Sequence, residues 1–281
     1  DAWFAEHGDG CGALVDQVIA SADPDLTLNG LTRLDAARPD LLAALVAEPE
    51  WGERVCRVLG ASVALNQHLG AHPADVDVLR GPIERRAVTG LRAAVLCPIG
   101  ADPGDEQPVA QPQRSDELRL AYRREVLRIA ARDLTSTDPL AELPSVAGEL
   151  ADLADATVEA ALALAREQVP GWQKARLGIV ALGKTGGQEL NYVSDVDVLY
   201  VAEPALDESG EPVCSTAEAI AVAAKLVGAL TRECSAHTAA GTIWQLDAAL
   251  RPEGKAGPLV RSLASHQAYY EKWAKNWEFQ A

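Results

Sequence analysis

Two aspartates set one residue apart, Asp195 and Asp197, open the run DVDVLYV, and their spacing defines a chemistry. In an extended strand alternate side chains share a face, so both carboxylates project one way while Val196 and Val198 project the other. Like charges this close repel, and the pair is destabilising unless water, a proton or a divalent cation neutralises it. A hard cation with oxygen ligands, Mg²⁺, meets that need best. The competing reading makes Asp195 a turn residue and Asp197 a solubilising charge at a strand edge. Against it stands the glycine-rich stretch upstream, Gly183, Gly186 and Gly187, placed to offer backbone N–H groups to a phosphate.

A phosphoryl-transfer centre with two cations about 4 Å apart needs more than two protein carboxylates. Residues 242–250, TIWQLDAAL, alternate so that Ile243, Gln245 and Asp247 share one strand face, with Trp244, Leu246 and Ala248 on the other. Asp247 is therefore the third ligand expected. A Pro/Gly-rich loop, RPEGKAGP, follows it with Arg251, Glu253 and Lys255. Solvated basic loops are common, yet in so acidic a chain cations just past a carboxylate strand are candidate phosphate ligands.

These residues need two strands to position them. Residues 177–182 read as a buried strand ending at the glycines, and a second strand starts at Asp195. The same stretch spells G-x-x-x-x-G-K-T from Gly178 to Thr185, the pattern of a P-loop NTPase. Its four variable positions are Ile179, Val180, Ala181 and Leu182, which look like the strand itself and not an anion-cradling loop. Gly186 and Gly187 then weaken any helix that would have to start there. Lys184 is accordingly expected in a turn beyond the strand end, and a P-loop-like NTPase is kept only as an alternative.

A glycine pair, Asp-x-Asp on the next strand and a third Asp on a later one resemble nucleotidyltransferases of the polymerase-beta type. The blocks GKTGGQELNYVSDVDV, LDAALRPEGKAGPLVRS and YYEKWAKNWEFQA resemble, in order, those of the glutamine synthetase adenylyltransferase/adenylyl-removing enzymes. Those enzymes carry the transferase domain twice, an N-terminal copy that removes AMP from glutamine synthetase and a C-terminal copy that attaches it. Gly257-Pro258-Leu259 and Tyr269-Tyr270-Glu271 resemble the removing copy. The resemblance implies phosphorolysis of an adenylyl-tyrosine on glutamine synthetase with release of ADP, the alternative being adenylyl transfer from ATP. It implies Asp195, Asp197 and Asp247 as catalytic metal ligands for two Mg²⁺ ions, and Lys184, Gly186, Gly187, Ser194, Arg251 and Lys255 as phosphate or nucleotide ligands. It further implies glutamine synthetase as protein substrate, ATP, ADP and phosphate as small ligands, and admits a PII-type signal protein as a further partner.

The chain has 281 residues, 48% of them hydrophobic and only 5% aromatic, with much Ala and Leu, which points to helices. An α+β fold is expected: a helical region over residues 1–175, a nucleotidyltransferase domain with a small sheet over 176–262, and the start of a further helical region over 263–281. The sequence has no Met even at its start, as a piece of a longer protein would. The net charge of −16 argues against nucleic acid as partner, because phosphate-backbone binding relies on Lys and Arg. No run of 18 apolar residues appears and the first residues lack a signal-peptide layout, so no membrane partner is expected. Five cysteines without a C-x-x-C pair read as reduced thiols in the cytoplasm.

Around the sheet, Ser115 is expected to cap a helix to Leu134, a second helix to cover residues 146–168, and Ser215 with Glu218 to form a capping box. Ser62 reads as the N-cap of residues 63–69, and residues 97–114 as an exposed loop. His68 and His72 stand four apart, but Gly70, Pro73 and the lack of an acidic partner argue against a metal site there.

Overall fold

The structure is a computed structural model that describes residues 11–279, and it divides into two compact units. The first comprises Asp1–Arg85 and Arg123–Val146. Its helices are α1 (Gly12–Ile19), α2 (Pro24–Ala37), α3 (Leu41–Ala47), α4 (Pro49–Ala61) and α5 (Val63–Ala71), followed by a 3₁₀ turn at Pro73–Leu79. Local chemistry sets their starts. Asp23 accepts a hydrogen bond from the Leu26 N–H and Ser62 from the Leu65 N–H, while Pro24 and Pro49 stand in first turns, where a missing N–H costs nothing. Leu14, Leu31, Leu34, Val55, Leu59 and Leu69 form the buried core.

The first unit also corrects one expectation. Helix α5 runs through Gly70 to Ala71, and His68 does have an acidic partner: its Nε2 lies 2.8 Å from Asp75 Oδ2, both side chains being buried. Arg124 Nε donates to the other Asp75 oxygen at 2.7 Å. Burial alone would raise the Asp75 pKa, but the hydrogen bonds from His68 and Arg124 outweigh it and hold the carboxyl below its ordinary value. A depressed carboxyl contributes stability that is complete above about pH 4 and is lost as pH falls through its folded value. Asp75→Asn is expected to cost about 3 kcal/mol at neutral pH. In urea melts, that gap between variant and wild type should narrow as pH falls below about 4; a gap independent of pH would contradict the ion-pair account.

The second unit comprises Arg86–Tyr122 and Ala147–Ala281, and it carries the sheet. It holds α6 (Val88–Leu96), part of α7 (Ser115–Leu134) and most of α8 (Pro139–Gln168). Ser115 is itself the first helical residue of α7 and not its cap. Helix α8 begins earlier than the apolar spacing indicates, because Asp138 accepts the Ala141 N–H at 3.1 Å and Pro139 occupies the first helical position. The 97–114 segment opens with a 3₁₀ turn at Cys97–Ile99 and continues as a loop, but Ile99, Ala101 and Ala110 are buried in it, and the Ala110 N–H bonds to Ala163 O.

Strands β1 (Ala175–Ala181), β2 (Asp195–Pro204), β3 (Gln245–Asp247) and β4 (Val260–Arg261) form one mixed sheet. Strand β2 is central. It pairs antiparallel with β1 along seven residues from Ala175↔Pro204 to Ala181↔Val198, and parallel with both β3 and β4. Between β1 and β2 lies a single helical turn, α9 (Gly183–Gly186). Helix α10 (Thr216–Ser235) packs Ala223, Leu226, Val227 and Leu230 against the sheet, and Ser215 Oγ accepts the Glu218 N–H at its start. The final helix is α11 (Leu263–Lys272), capped by Ser262. Among the described residues no helix is long and apolar enough to cross a membrane. The class is α+β, mostly helical with one small sheet.

Candidate metal centre

The register between β2 and β3 builds the centre. Asp195 stands opposite Gln245 and Asp197 opposite Asp247, so the pleat that sends Asp195 and Asp197 to one face of β2 brings Asp247 to the same face of its neighbour. One carboxylate oxygen from each of the three aspartates lies within 4.8 Å of the others. Val196 and Val198, on the opposite face, are 1% exposed. That contrast anchors β2 in the core and leaves the acidic face open.

Strand β3 is shorter than the 242–250 alternation indicates. Ile243 and Trp244 are both buried, and the strand stops at Asp247 because Asp247 Oδ1 turns back to accept the Ala249 N–H at 2.7 Å. The same bond fixes the carboxylate.

The glycine turn is equally specific. The Leu182 N–H bonds to Asp197 O at 2.8 Å, which sets α9 directly beside the carboxylates. Gly183 has φ +54°, and a Cβ there would fall 2.6 Å from Asp197 Oδ2. No other residue type fits both demands. A Cβ on Gly186 would fall 2.7 Å from the Ala181 carbonyl oxygen, so this glycine serves the packing of the turn on β1. The Gly186 and Gly187 N–H groups, expected to face a phosphate, are bonded to Leu182 O and Gly183 O. A four-residue helical turn consumes its last amides internally, and its unbonded N–H groups fall earlier, at its start. That start also differs from a P-loop: Ile179–Ala181 are strand, and no helix of several turns follows Lys184.

The cations divide. Lys184 Nζ donates to Ser194 Oγ at 3.1 Å and lies close enough to Asp197 for its charge to act on that carboxylate. Lys255, on a 3₁₀ turn at Gly254–Ala256, is exposed and has no side-chain partner among the described residues. Arg251 is committed to its own loop, donating to the carbonyls of Ala248, Gly257 and Lys255 at 2.7, 3.2 and 3.3 Å. Two further residues had no sequence signal beyond their charge: Glu253, held at φ +65°, pairs with Arg261 from β4.

Electrostatics support a cation site. Burial, then the charges of Asp195 and Asp247, push the Asp197 carboxyl above its ordinary pKa, with Lys184 opposing them. All ligand atoms are hard carboxylate oxygens without nitrogen or sulfur, the donor set that suits Mg²⁺ or Mn²⁺ and not Zn²⁺. Among the described residues no other set of three His, Cys, Asp or Glu side chains has this geometry.

A small mixed sheet gathers three carboxylates beside a glycine turn and a lysine, a donor set that could hold a divalent cation. The family model of glutamate-ammonia ligase adenylyltransferase matches residues 52–281, and the chain belongs to that family. Similar proteins named bifunctional glutamine synthetase adenylyltransferase/adenylyl-removing enzyme occur in Cutibacterium acnes, 51% identical over 92% of this chain, and in Streptomyces avermitilis, 46% identical over 95%. One from Bifidobacterium longum subsp. infantis is 39% identical over 96%. The chain spans 26% of the length of each of these relatives.

Two variants test the centre. Asp197→Asn removes one repelling charge, so the metal-free protein is expected to gain up to about 1 kcal/mol, while its stabilisation by Mg²⁺ disappears. Gly183→Ala is expected to cost about 1 to 2 kcal/mol through its left-handed backbone and also to lose the Mg²⁺ response, because the methyl displaces Asp197. Melting curves with and without Mg²⁺ read both effects; an unaltered Mg²⁺ shift in Asp197→Asn would remove Asp197 from the centre, and one in Gly183→Ala would show that the methyl leaves Asp197 in place.

Proposed function

We propose that residues 176–262 form a nucleotidyltransferase domain that removes AMP from an adenylylated tyrosine of glutamine synthetase by phosphorolysis. The observation that carries the proposal is the convergence of Asp195, Asp197 and Asp247 in a chain of this family. The likeness of Gly257-Pro258-Leu259 and Tyr269-Tyr270-Glu271 to the removing copy is what supports this direction over the attaching one. A PII-type partner enters by resemblance alone.

In the reaction a phosphate oxygen attacks the phosphorus of the AMP group, the bond from phosphorus to the tyrosyl oxygen breaks, and the phenolate leaves to take up a proton. ADP and free tyrosine result. Divalent cations held by the three aspartates would supply positive charge to the attacking and leaving oxygens. The chain's own residues do the rest. Asp247, fixed by the Ala249 N–H, and Asp197, fixed between the Gly183 turn and β3, keep the ligand geometry preorganised. Lys184, held by Ser194 beside Asp197, orients the transferred phosphoryl group, and exposed Lys255 meets the incoming phosphate.

The test supplies the protein with adenylylated glutamine synthetase, phosphate and Mg²⁺, and in parallel with unmodified glutamine synthetase and ATP. Release of ADP in the first mixture is expected, together with a loss of at least about a thousandfold in Asp195→Asn and Asp197→Asn. AMP incorporation in the second mixture without ADP release in the first would assign the attaching reaction instead.

A further inference from the structure

Arg251 follows a catalytic strand and carries the charge expected of a phosphate ligand, yet its bonds go elsewhere. Its Nη1 donates to the Ala248 carbonyl at 2.7 Å, its Nε to Gly257 O at 3.2 Å and its Nη2 to Lys255 O at 3.3 Å. Among the described residues no carboxylate pairs with it. The three acceptors lie on opposite sides of one loop: Ala248 adjoins Asp247, while Lys255 and Gly257 lie at the loop's far end. The Arg251 N–H adds a second bond to Ala248 O at 3.2 Å, and the Gly254 N–H closes on Arg251 O at 2.7 Å.

The loop is wound tightly enough to need such a tie. Glu253 and Gly254 both have positive φ, +65° and +56°, and a Cβ on Gly257 would run into the Pro252 carbonyl. A loop of this shape has little core of its own: Glu253, Gly254, Lys255 and Ala256 are exposed or half-buried, and only Pro252 and Gly257 are buried. Its geometry rests on hydrogen bonds, and one side chain makes three of them.

Resting on the phosphorolysis reading above, we propose that Arg251 is a positioning residue whose guanidinium clamps residues 248–257 and so holds Asp247 opposite Asp197. A guanidinium suits the task because its planar fork reaches several carbonyls at once. An ammonium is a single point and cannot span the loop. The clamp therefore depends on Arg and not on positive charge.

The experiment measures Mn²⁺ binding to the full chain by the loss of the free-ion electron paramagnetic resonance signal, with no nucleotide or protein substrate present. Arg251→Ala and Arg251→Lys are both expected to bind Mn²⁺ about 10- to 100-fold more weakly than wild type, as when a group supporting a metal ligand is lost. Lys255→Ala is expected to bind Mn²⁺ as wild type does. In steady-state phosphorolysis, Arg251→Ala should lower kcat with the KM for phosphate nearly unchanged, whereas Lys255→Ala should raise that KM. The lysine variant keeps charge and length, so the comparison stands even if the alanine variant fails to fold. Wild-type Mn²⁺ affinity in either arginine variant, or a raised KM for phosphate with unaltered kcat, would overturn the proposal, as would absence of Mn²⁺ binding by the wild type. Weakened Mn²⁺ binding in the arginine variants of a protein that performs no phosphorolysis would support the clamp while refuting the reaction.

Discussion

Three carboxylates with oxygens within 4.8 Å of one another repel, and the fold of the second unit holds them together regardless. The force that does so is the pairing of β2 with its neighbours. Seven antiparallel partners on β1, with Val196, Val198, Tyr200 and Ala202 buried behind them, fix β2 against the core. Once β2 is fixed, the Asp197↔Asp247 register sets the third carboxylate without further choice. Moving either strand by one residue would turn its aspartates to the opposite face and disperse the charge. Burial of one strand face thus maintains an unfavourable cluster on the other, an arrangement typical of functional sites, where local stability is given up for charge in a chosen place.

Much of this could be read from the residues. The alternation DVDVLYV fixed the facing of Asp195 and Asp197, because a period of two admits only two orientations and the valines choose between them. Ile179–Leu182 are apolar, which speaks against a P-loop, and Ile179–Ala181 are indeed strand. Capping residues with a side-chain acceptor, Ser62 and Ser215, were equally legible, since their bonds reach only three residues ahead.

What escaped was set by partners distant in sequence or by backbone groups bonding one another. His68 looked isolated because Asp75 reaches it only after a turn, and Arg124 completes the pair from far along the chain. The Gly186 and Gly187 amides were expected to be free, but whether an N–H is spent inside a turn depends on its dihedral angles, which composition does not reveal. Arg251 showed the same limit. Its charge pointed to an anion, whereas its geometry commits it to three carbonyls of its own loop. The end of β3 at Asp247 likewise follows from a side-chain bond to Ala249 that overrides the strand pattern.

The central claim is that Asp195, Asp197 and Asp247 share divalent cations. The most direct measurement is a crystal structure of the chain grown with Mn²⁺, with the metal located by anomalous scattering. The account predicts density coordinated by oxygens of all three carboxylates, at up to two positions about 4 Å apart. A structure with Mn²⁺ bound elsewhere, or with Asp247 turned away from the pair, would contradict it.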